Sequence, residues 1–350
     1  MENHRSKRPP STLQDIAEDL GMSRATISRV LRGLPGHSAE TCRRVHEAAE
    51  RLGYCGSPLV SAWMNQIRRG NPVRRQATVG LLNCLEDESQ FTELPFFQRV
   101  LAGIRERGER MGFGFDRFWL PGSKRSPASL REVLRARGIH GVIALPASPG
   151  VEVSRYLELQ GLAVVALGFS HLDLSVDRVA PQQFQGASLV VAELLERGYR
   201  RIGFAMRAQD DRRSGGRWSG GFAAALRYEE LSAAELFTPE RLDPATLADW
   251  LRATRPEVVV GLGAETLDRI RRAGFSVPED FAYAALDADG AKGMAGLDQR
   301  HNALGAAAVD TLASNLFEQR TGLLDLPRHI MVHGRWREGA TVPPSPSARR

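Results

Sequence analysis

The hydrophobic positions at the start of the chain have the spacing of two short helices. Four apolar residues lie at i, i+3, i+4 and i+7, which predicts one buried helix face: Leu13, Ile16, Ala17 and Leu20. A second apolar set with helical spacing follows Gly21: Ile27, Val30 and Leu31. Two short helices joined by a glycine turn form a helix-turn-helix.

Polar residues at the predicted helix ends support these boundaries. Thr12 is placed to cap the first helix, and Asp15 has the position of the returning acid in a capping box. Gly21 tolerates a positive φ in the turn. Ser23 is the expected N-cap of the second helix.

The outer face of the second helix carries small and basic side chains that suit a groove of DNA. Arg24 has the fork geometry that pairs with guanine, and Ala25 is small enough for close approach to a thymine methyl group. The other three polar residues of this face suit phosphate contacts: Thr26, Ser28 and Arg29. The alternative interpretation is the solvated face of a small helical hairpin.

Two more helices are predicted before residue 77. The third begins at Ser38 or Ala39 and runs to Leu52. Ser57-Pro58 then starts a fourth, since serine is a good cap and proline suits the first helical position. Its apolar stripe has the spacing i, i+4, i+8, with two more apolar residues beside it: Leu59, Trp63 and Ile67, flanked by Val60 and Met64. Such a short helix is marginal alone and needs a partner.

From residue 77 onward the pattern alternates between apolar strands and amphipathic helices. Strands are predicted at 78–84, 113–120, 141–147, 162–168, 202–206, 258–262 and 283–286. Helices are predicted at 95–111, 129–138, near 151–160, 185–196, 216–229 and 265–273. Repeated βα units predict two parallel sheets covered by helices, with a ligand cleft at the carboxyl ends of the strands.

The charge distribution separates the first module from the rest of the chain. The 350 residues are 42% hydrophobic and carry a net charge of +6. Residues 1–76 contain 13 Lys and Arg against 7 Asp and Glu, whereas the remainder contains 34 of each sign. A basic module on a neutral body favours a polyanionic partner for the module alone, although a solubilising charged face gives the same excess.

Composition also indicates the cellular compartment in which the protein is expected. No run of about 18 apolar residues predicts a transmembrane helix, and the basic stretch 1–11 lacks the apolar core of a signal peptide. Three scattered cysteines match no metal or disulfide spacing and suit a reducing compartment. We therefore expect a cytoplasmic protein without membrane contact, metal or cofactor, and with a disordered Pro/Ser-rich tail at 341–350.

The stretches TLQDIAEDLGMSRATISRVLRG, AAERLGY and SPLVSAWMNQIRRG together resemble the LacI/GalR family of bacterial transcriptional repressors. The resemblance extends from about residue 12 to residue 340. It implies an N-terminal all-α helix-turn-helix headpiece with a hinge helix, and a C-terminal α/β two-lobed, periplasmic-binding-protein-like effector domain. It further implies a homodimer that binds a palindromic double-stranded operator and responds to a small-molecule effector, often a sugar.

The resemblance also assigns roles to headpiece and hinge residues. Arg24 and Ala25 match the base-reading positions, and the residues that match backbone-holding or helix-supporting positions are Ser23, Thr26, Ser28 and Arg29. Trp63 matches a position where the family usually has a leucine that inserts between base pairs. Two interpretations stay open: Trp63 is the wedge, or Leu59 or Met64 takes that role while Trp63 packs between paired hinges.

Several later stretches resemble the family's effector domain: LPFFQRVLAGI, GVIALPAS, ALGFS, GYRRIGFAM, ALDADG and MAGLDQ. They imply five candidate effector contacts: Phe96, Phe169, Arg217, Trp218 and Asp287. In GRWSGGF, Trp218 occupies the position at which many relatives have arginine, with Arg217 one residue earlier. Either Arg217 reaches the cleft or Trp218 stacks on a sugar. The structural alternative is that Arg217, Trp218 and Asp287 are loop and lobe-interface residues with no ligand contact.

The resulting domain prediction has five parts. A basic tail (1–11), a headpiece (12–56) and a hinge helix with linker (57–76) precede the effector domain (77–340) and the tail (341–350). Within the effector domain, the N-lobe comprises about 77–178 and 300–327, and the C-lobe comprises about 179–297 and 328–340.

Three rival functions remain to be weighed. The sequence lacks the phosphate-binding, HExxH and GxSxG patterns of common enzymes, so catalysis is not expected. A solute-binding protein for transport requires an export signal, which we do not find. A transcriptional activator of the same fold differs from a repressor only in operator position, and the sequence does not separate the two.

Overall fold

The computed structural model describes residues 13–31, 37–52, 77–229, 236–289 and 292–343. The chain divides into two compact units, Met1–Gln76 and Ala77–Arg350. Within the described ranges, no helix has both the length and the apolar character needed to cross a bilayer.

The first unit contains the predicted pair of short helices and the third helix. These are α1 (Leu13–Leu20), α2 (Arg24–Leu31) and α3 (Ala39–Arg51). Their shared core consists of the side chains that the helical spacing turns inward: Ile16, Ala17, Ile27, Val30, Val45, Ala48 and Ala49. The helix-turn-helix prediction is confirmed.

The ends of these helices are fixed by local hydrogen bonds. The Ser23 hydroxyl accepts the backbone N–H of Thr26 at 3.1 Å, as an N-cap does. Gly21 adopts a φ of +63° in the turn, a conformation that favours glycine. An ion pair of 2.5 Å between Arg51 and Asp19 ties α3 to α1.

The second unit is built on two six-stranded sheets, each of which forms the centre of a lobe. The first sheet has the strand order β11 (His329–Val332), β5 (Asp177–Pro181), β4 (Ala163–Leu167), β3 (Gly141–Ala144), β1 (Ala77–Asn83) and β2 (Phe113–Trp119). The second has the strand order β12 (Arg335–Arg337), β10 (Ala295–Asp298), β9 (Ala282–Ala285), β8 (Val258–Gly261), β6 (Ile202–Ala205) and β7 (Leu236–Phe237). All neighbours run parallel except β12, which is antiparallel to β10. The predicted α/β architecture with two parallel sheets is confirmed.

The first lobe contains residues 77–181 and later segments that return to it. Its strands are β1 (Ala77–Asn83), β2 (Phe113–Trp119), β3 (Gly141–Ala144), β4 (Ala163–Leu167), β5 (Asp177–Pro181) and β11 (His329–Val332). Its helices are α4 (Gln90–Glu93), α5 (Pro95–Met111), α6 (Pro127–Ala136) and α12 (His301–Glu318).

The second lobe contains the elements between residues 183 and 298, together with the late strand at 335–337. Its strands are β6 (Ile202–Ala205), β7 (Leu236–Phe237), β8 (Val258–Gly261), β9 (Ala282–Ala285), β10 (Ala295–Asp298) and β12 (Arg335–Arg337). Its helices are α7 (Gln183–Glu196), α8 (Ala208–Arg213), α9 (Arg217–Tyr228), α10 (Pro244–Thr254) and α11 (Ala264–Arg272).

Glycine allows the two longest helices of the first lobe to pack closely. A Cβ on Gly103 of α5 would lie 1.9 Å from the carbonyl oxygen of Asn302 in α12. A Cβ on Gly305 of α12 would lie 2.1 Å from the Val100 carbonyl oxygen. This contact sets the start of α5 beside the start of α12, where several cleft residues lie.

Two lobe boundaries lie later in the chain than the sequence analysis placed them. The sequence prediction starts the C-lobe at 179 and returns to it at 328, but β5 and β11 both belong to the first sheet. The reason is their pairing: Arg178 lies opposite His329 in the parallel ladder. Asp177 at the start of β5 also binds the side chain of Arg328 at 2.8 Å.

The helix predicted near 151–160 is wrong. The segment is irregular apart from a 3-10 turn at Val153–Arg155. Its buried apolar residues occur in pairs spaced by two, which a helix cannot place on one face: Val151, Val153, Leu157 and Leu159. Gly150, with a φ of +82°, also interrupts the chain just before it.

Candidate functional site

The outer face of α2 is the candidate nucleic-acid surface. Ile27 and Val30 are buried in the headpiece core, which turns the opposite face of α2 outward. Arg24, Ala25 and Arg29 are exposed there, at the start and middle of the helix. Thr26 and Ser28 lie between these positions and are half-buried.

The two arginines of this face carry charge that the described part of the headpiece does not neutralise. Neither Arg24 nor Arg29 is in an ion pair with residues 13–31 or 37–52. By contrast, Arg43 of α3 contacts Glu40 at 2.7 Å and Glu47 at 2.8 Å. Unpaired arginines beside a small alanine leave donors available for base edges and phosphates.

Ser23 already uses its hydroxyl within the protein. Besides accepting the Thr26 N–H, its Oγ lies 2.9 Å from the Thr26 Oγ1. These contacts stabilise the first turn of α2. The remaining candidate DNA contacts lie outside the described residues: Thr12, Leu59, Trp63 and Met64.

The candidate effector site is a cleft between the two sheets of the second unit. Its volume is about 350 Å³, at the low end of the range for small-molecule pockets, about 300–1,000 Å³. It is lined by residues that follow the carboxyl ends of β3, β4, β6, β8 and β9: Pro146, Gly168, Phe169, Ser170, Arg207, Leu262 and Asp287. Ligand sites of parallel sheets are expected at these ends.

At one end of the cleft, acidic and aromatic groups surround His301. This histidine is 2% exposed, and its ring lies edge-on to Phe96 with 4.7 Å between the centroids. Its Nδ1 lies 2.9 Å from an Asp289 carboxylate oxygen, and its Nε2 lies 3.8 Å from Asp287. Neither ring nitrogen has hydrogen-bond geometry to a described partner. Arg99 pairs with Asp289 from the first lobe.

The carboxyl of Asp287 is disfavoured as an ion in this environment. Burial raises its pKa and the neighbouring Asp289 adds to the effect, while His301 and Arg99 oppose it. The Asp287 side chain retains 28% exposure toward the cleft. Whether ionised or protonated, this carboxyl has an oxygen that can accept a hydrogen bond from a ligand hydroxyl.

At the other end of the cleft, basic groups surround Phe169. The Cζ of Arg217 lies 3.7 Å from the Phe169 ring centroid, and that of Arg178 lies 5.7 Å from it. Arg217 also donates from Nη1 to the Ser214 carbonyl oxygen at 2.7 Å. Arg213 donates to the Ala147 carbonyl oxygen at 3.2 Å, a contact between the two lobes.

Four of the five candidate effector residues line the cleft: Phe96, Phe169, Trp218 and Asp287. Trp218 is 2% exposed and packs mainly in the core of the second lobe. Arg217 is not among the lining residues, because its guanidinium lies over Phe169. The role of each residue in binding stays a prediction.

Eight polar residues that line the cleft were not among the contacts predicted from sequence: Ser170, Gln183, Arg207, Asp210, Arg213, Ser214, Gln299 and His301. The Gln183 Oε1 is buried without a hydrogen-bond partner in the described structure, so it is an acceptor for a ligand donor. Gln299 is the last residue of the MAGLDQ stretch that resembles a crossover, and His301 lies two residues further on, so this stretch was the available signal for both. Among the described residues, no group of His, Cys, Asp and Glu side chains could hold a metal ion.

Two family models match the chain. The model described as bacterial regulatory proteins, lacI family, matches residues 12–57. A periplasmic binding protein-like domain matches residues 191–342.

Curated relatives cover part of the chain. It is 33% identical over 202 residues to the HTH-type transcriptional regulator MalR of Streptomyces coelicolor, covering 55% of this chain and 53% of the relative. It is 31% identical over 244 residues to the maltose regulon regulatory protein MalI of Escherichia coli, covering 69% and 62%. The chain thus spans about half the length of MalR.

Solved structures share the fold over nearly the whole chain. The cellobiose complex of the transcriptional regulator CelR matches with a TM-score of 0.60 and 22% identity, over 96% of this chain and 100% of that one. The lac repressor dimer bound to operator matches with a TM-score of 0.55 and 17% identity, over 95% and 99%.

Proposed function

We propose that the chain belongs to the lacI family of bacterial regulatory proteins and that it is a sequence-specific DNA-binding transcriptional regulator controlled by a small-molecule effector. The headpiece binds an operator, and the two-lobed unit binds the effector. The function is binding, with no catalytic step, and the compartment we propose is the cytoplasm.

The observation that carries the DNA-binding proposal is the outer face of α2. It exposes Arg24, Ala25 and Arg29 while Ile27 holds the helix to the headpiece. In our proposal Arg24 and Ala25 contact base edges in the major groove. Four residues hold the phosphate backbone or support the helix: Ser23, Thr26, Ser28 and Arg29.

We propose a homodimer with two headpieces on a palindromic operator, because one α2 reads too few base pairs to select a site alone. Trp63, with Leu59 and Met64 as the alternatives, wedges the minor groove at the operator centre. Thr12 contacts the phosphate backbone at the start of α1. The regulator is a repressor when its operator overlaps a promoter, and the same fold activates from another operator position.

We propose a carbohydrate as the effector. The cleft combines aromatic surfaces, at Phe96 and Phe169, with the acceptor groups of Asp287 and Gln183. Aromatic faces suit the C–H surface of a sugar ring, and acceptors suit its hydroxyls. The CelR structure described as a cellobiose complex has the same fold, and MalR and MalI are relatives of the chain.

Selection from a pool of random duplexes tests the proposal. The full chain should enrich a sequence with two inverted half-sites, as expected of a twofold-symmetric dimer. Enrichment of a single unrepeated site would contradict the dimer, and enrichment of no sequence would contradict specific recognition.

A further inference from the structure

The Phe169 end of the cleft collects guanidinium groups from both lobes. Arg178 comes from β5 of the first sheet, and Arg217 comes from the start of α9 in the second lobe. Both lie over the ring of Phe169, which itself lines the cleft. The ring of His329 is also near, with 6.3 Å between its centroid and that of Phe169.

Arg213 adds a third guanidinium at the same place. Its Nη2 donates to the Ala147 carbonyl oxygen at 3.2 Å, and the Ala147 N–H donates to the Ser170 Oγ at 2.9 Å. Arg213 and Ser170 therefore both bind the backbone of Ala147, and Ser170 is the residue that follows Phe169. Both line the cleft.

These charges lack carboxylate partners. Arg178, Arg213 and Arg217 make no ion pair within the described ranges, whereas Arg207 and Arg212 each contact a carboxylate at 2.7 Å. The nearby Asp211 directs its side chain to the Ser219 hydroxyl at 2.5 Å.

The most deeply buried of the three arginines also has an unused donor. Arg178 is 2% exposed and donates to the carbonyl oxygens of Gly168 and His171, at 2.6 and 2.5 Å. Its Nε has no hydrogen-bond partner among the residues that the structure describes. Burial lowers its pKa, as does the charge of Arg217. Burial and the charges of both arginines lower the pKa of His329.

The opposite end of the cleft has the opposite character. Asp287 lines it, and Asp289 lies just behind, paired with Arg99. A ligand that spans the cleft thus meets the Arg213 guanidinium, with Arg178 and Arg217 nearby, at one end and the Asp287 carboxyl at the other. Arg178 is buried, whereas Arg217 is half-buried and Arg213 is exposed. Because buried charge without a partner is costly, the burial of Arg178 in particular favours an anion at the cationic end.

We propose that the Phe169 end binds an anionic group, and that the effector is an acidic carbohydrate, meaning a sugar that carries a carboxylate or a phosphate ester. This inference rests on the proposed function of the cleft. The anionic group lies against Arg213 and Ser170, which line the cleft, with the charge of Arg217 nearby over the Phe169 ring. Hydrogen bonds assisted by charge are stronger than neutral ones. The sugar hydroxyls lie toward Asp287 and Gln183.

Thermal unfolding of the full chain with matched probes tests the proposal. The probes are sodium phosphate, D-glucuronate, D-glucose 6-phosphate and D-galacturonate, with D-glucose and D-galactose as neutral controls, all at one ionic strength. A ligand that binds only the folded state raises the unfolding temperature. We expect the acidic sugars to stabilise the chain more than their neutral counterparts do, and more than phosphate does.

Variants show whether the arginines cause the effect. Arg213→Gln/Arg217→Gln should lose most of the stabilisation by the anionic probes, and Arg213→Lys/Arg217→Lys should retain part of it because the charge is kept. Arg212→Gln is the matched control, since this neighbour is paired with Glu240, and it should respond as the unmodified chain does.

Several outcomes would overturn the inference. Equal stabilisation by acidic and neutral sugars would do so, and so would the absence of stabilisation by every anionic probe. So would full retention of the effect in the glutamine variant. Stabilisation by phosphate with no further gain from the acidic sugars would overturn the carbohydrate assignment in favour of a free anion. Binding of the selected duplex is measured on the same preparations, so a failure of the regulator function is seen separately.

Discussion

Replacing Arg24 by alanine removes the side chain that we assign to base recognition. Arg24 is the first residue of α2, is exposed, and makes no ion pair with the described part of the headpiece. Its loss therefore leaves no buried charge without a partner. The change in the free energy of unfolding should stay within about 0.5 kcal/mol, as for other surface substitutions.

The magnitude on DNA follows from the contact that is lost. A bidentate arginine–guanine pair discriminates by about 1–3 kcal/mol, which corresponds to about 5- to 150-fold in the dissociation constant. The loss should fall on the duplex with the correct base. On a duplex already changed at that base, Arg24→Ala should cost much less.

Fluorescence anisotropy with the selected duplex and its single-base variants, at one salt concentration, measures this effect. Arg43→Ala is the control, because Arg43 is an exposed headpiece arginine already paired with Glu40 and Glu47. An equal loss on every duplex would refute base reading by Arg24 and make it a phosphate contact. A loss for Arg43→Ala as large as that for Arg24→Ala would refute the role of α2.

Three further predictions concern other parts of the chain. Asp177→Asn should destabilise the second unit by about 3 kcal/mol, the low end for a broken buried ion pair because Arg320 and Arg328 stay partly exposed. Burial alone would raise the pKa of Asp177, but its arginine and backbone hydrogen bonds outweigh this and lower the pKa. In urea titrations the difference in the free energy of unfolding between the wild type and Asp177→Asn should thus shrink as the pH falls below 3.8 toward the lowered pKa. A difference that stays constant with pH would contradict this role of Asp177. The raised pKa of Asp287 predicts that the wild type loses stability relative to Asp287→Asn as the pH rises above 3.8, and an opposite slope in the same titrations would refute the burial argument. Trp63→Ala should abolish operator bending in a circular-permutation assay while sparing non-specific binding, and unchanged bending would exclude Trp63 as the wedge.

The headpiece could be predicted from sequence because its determinants are local. Gly21 and Ser23 fix the turn and the cap within a few residues of the chain, and the spacing of Ile27 and Val30 orients α2. The βα alternation of the second unit was recognisable for the same reason, since each strand and helix carries its own periodicity.

The charge layout of the cleft could not be predicted, because it depends on contacts between distant segments. Arg213 contacts Ala147 across the two lobes, and Asp289 of the second lobe pairs with Arg99 of α5 in the first. The lobe assignment of β11 likewise depends on its pairing with β5, which no local pattern shows. The helix predicted near 151–160 is wrong because the apolar residues of this segment are buried without forming a helix.

The most direct test of the account is the ratio of two dissociation constants of the full chain, measured at physiological salt. One is for the selected palindromic duplex and the other for a scrambled duplex of the same length and composition. Sequence-specific regulators bind their sites about 10³-fold or more tightly than other DNA, and the account predicts a ratio in this range. A ratio near unity would show that the basic headpiece binds DNA through charge alone and would contradict the account.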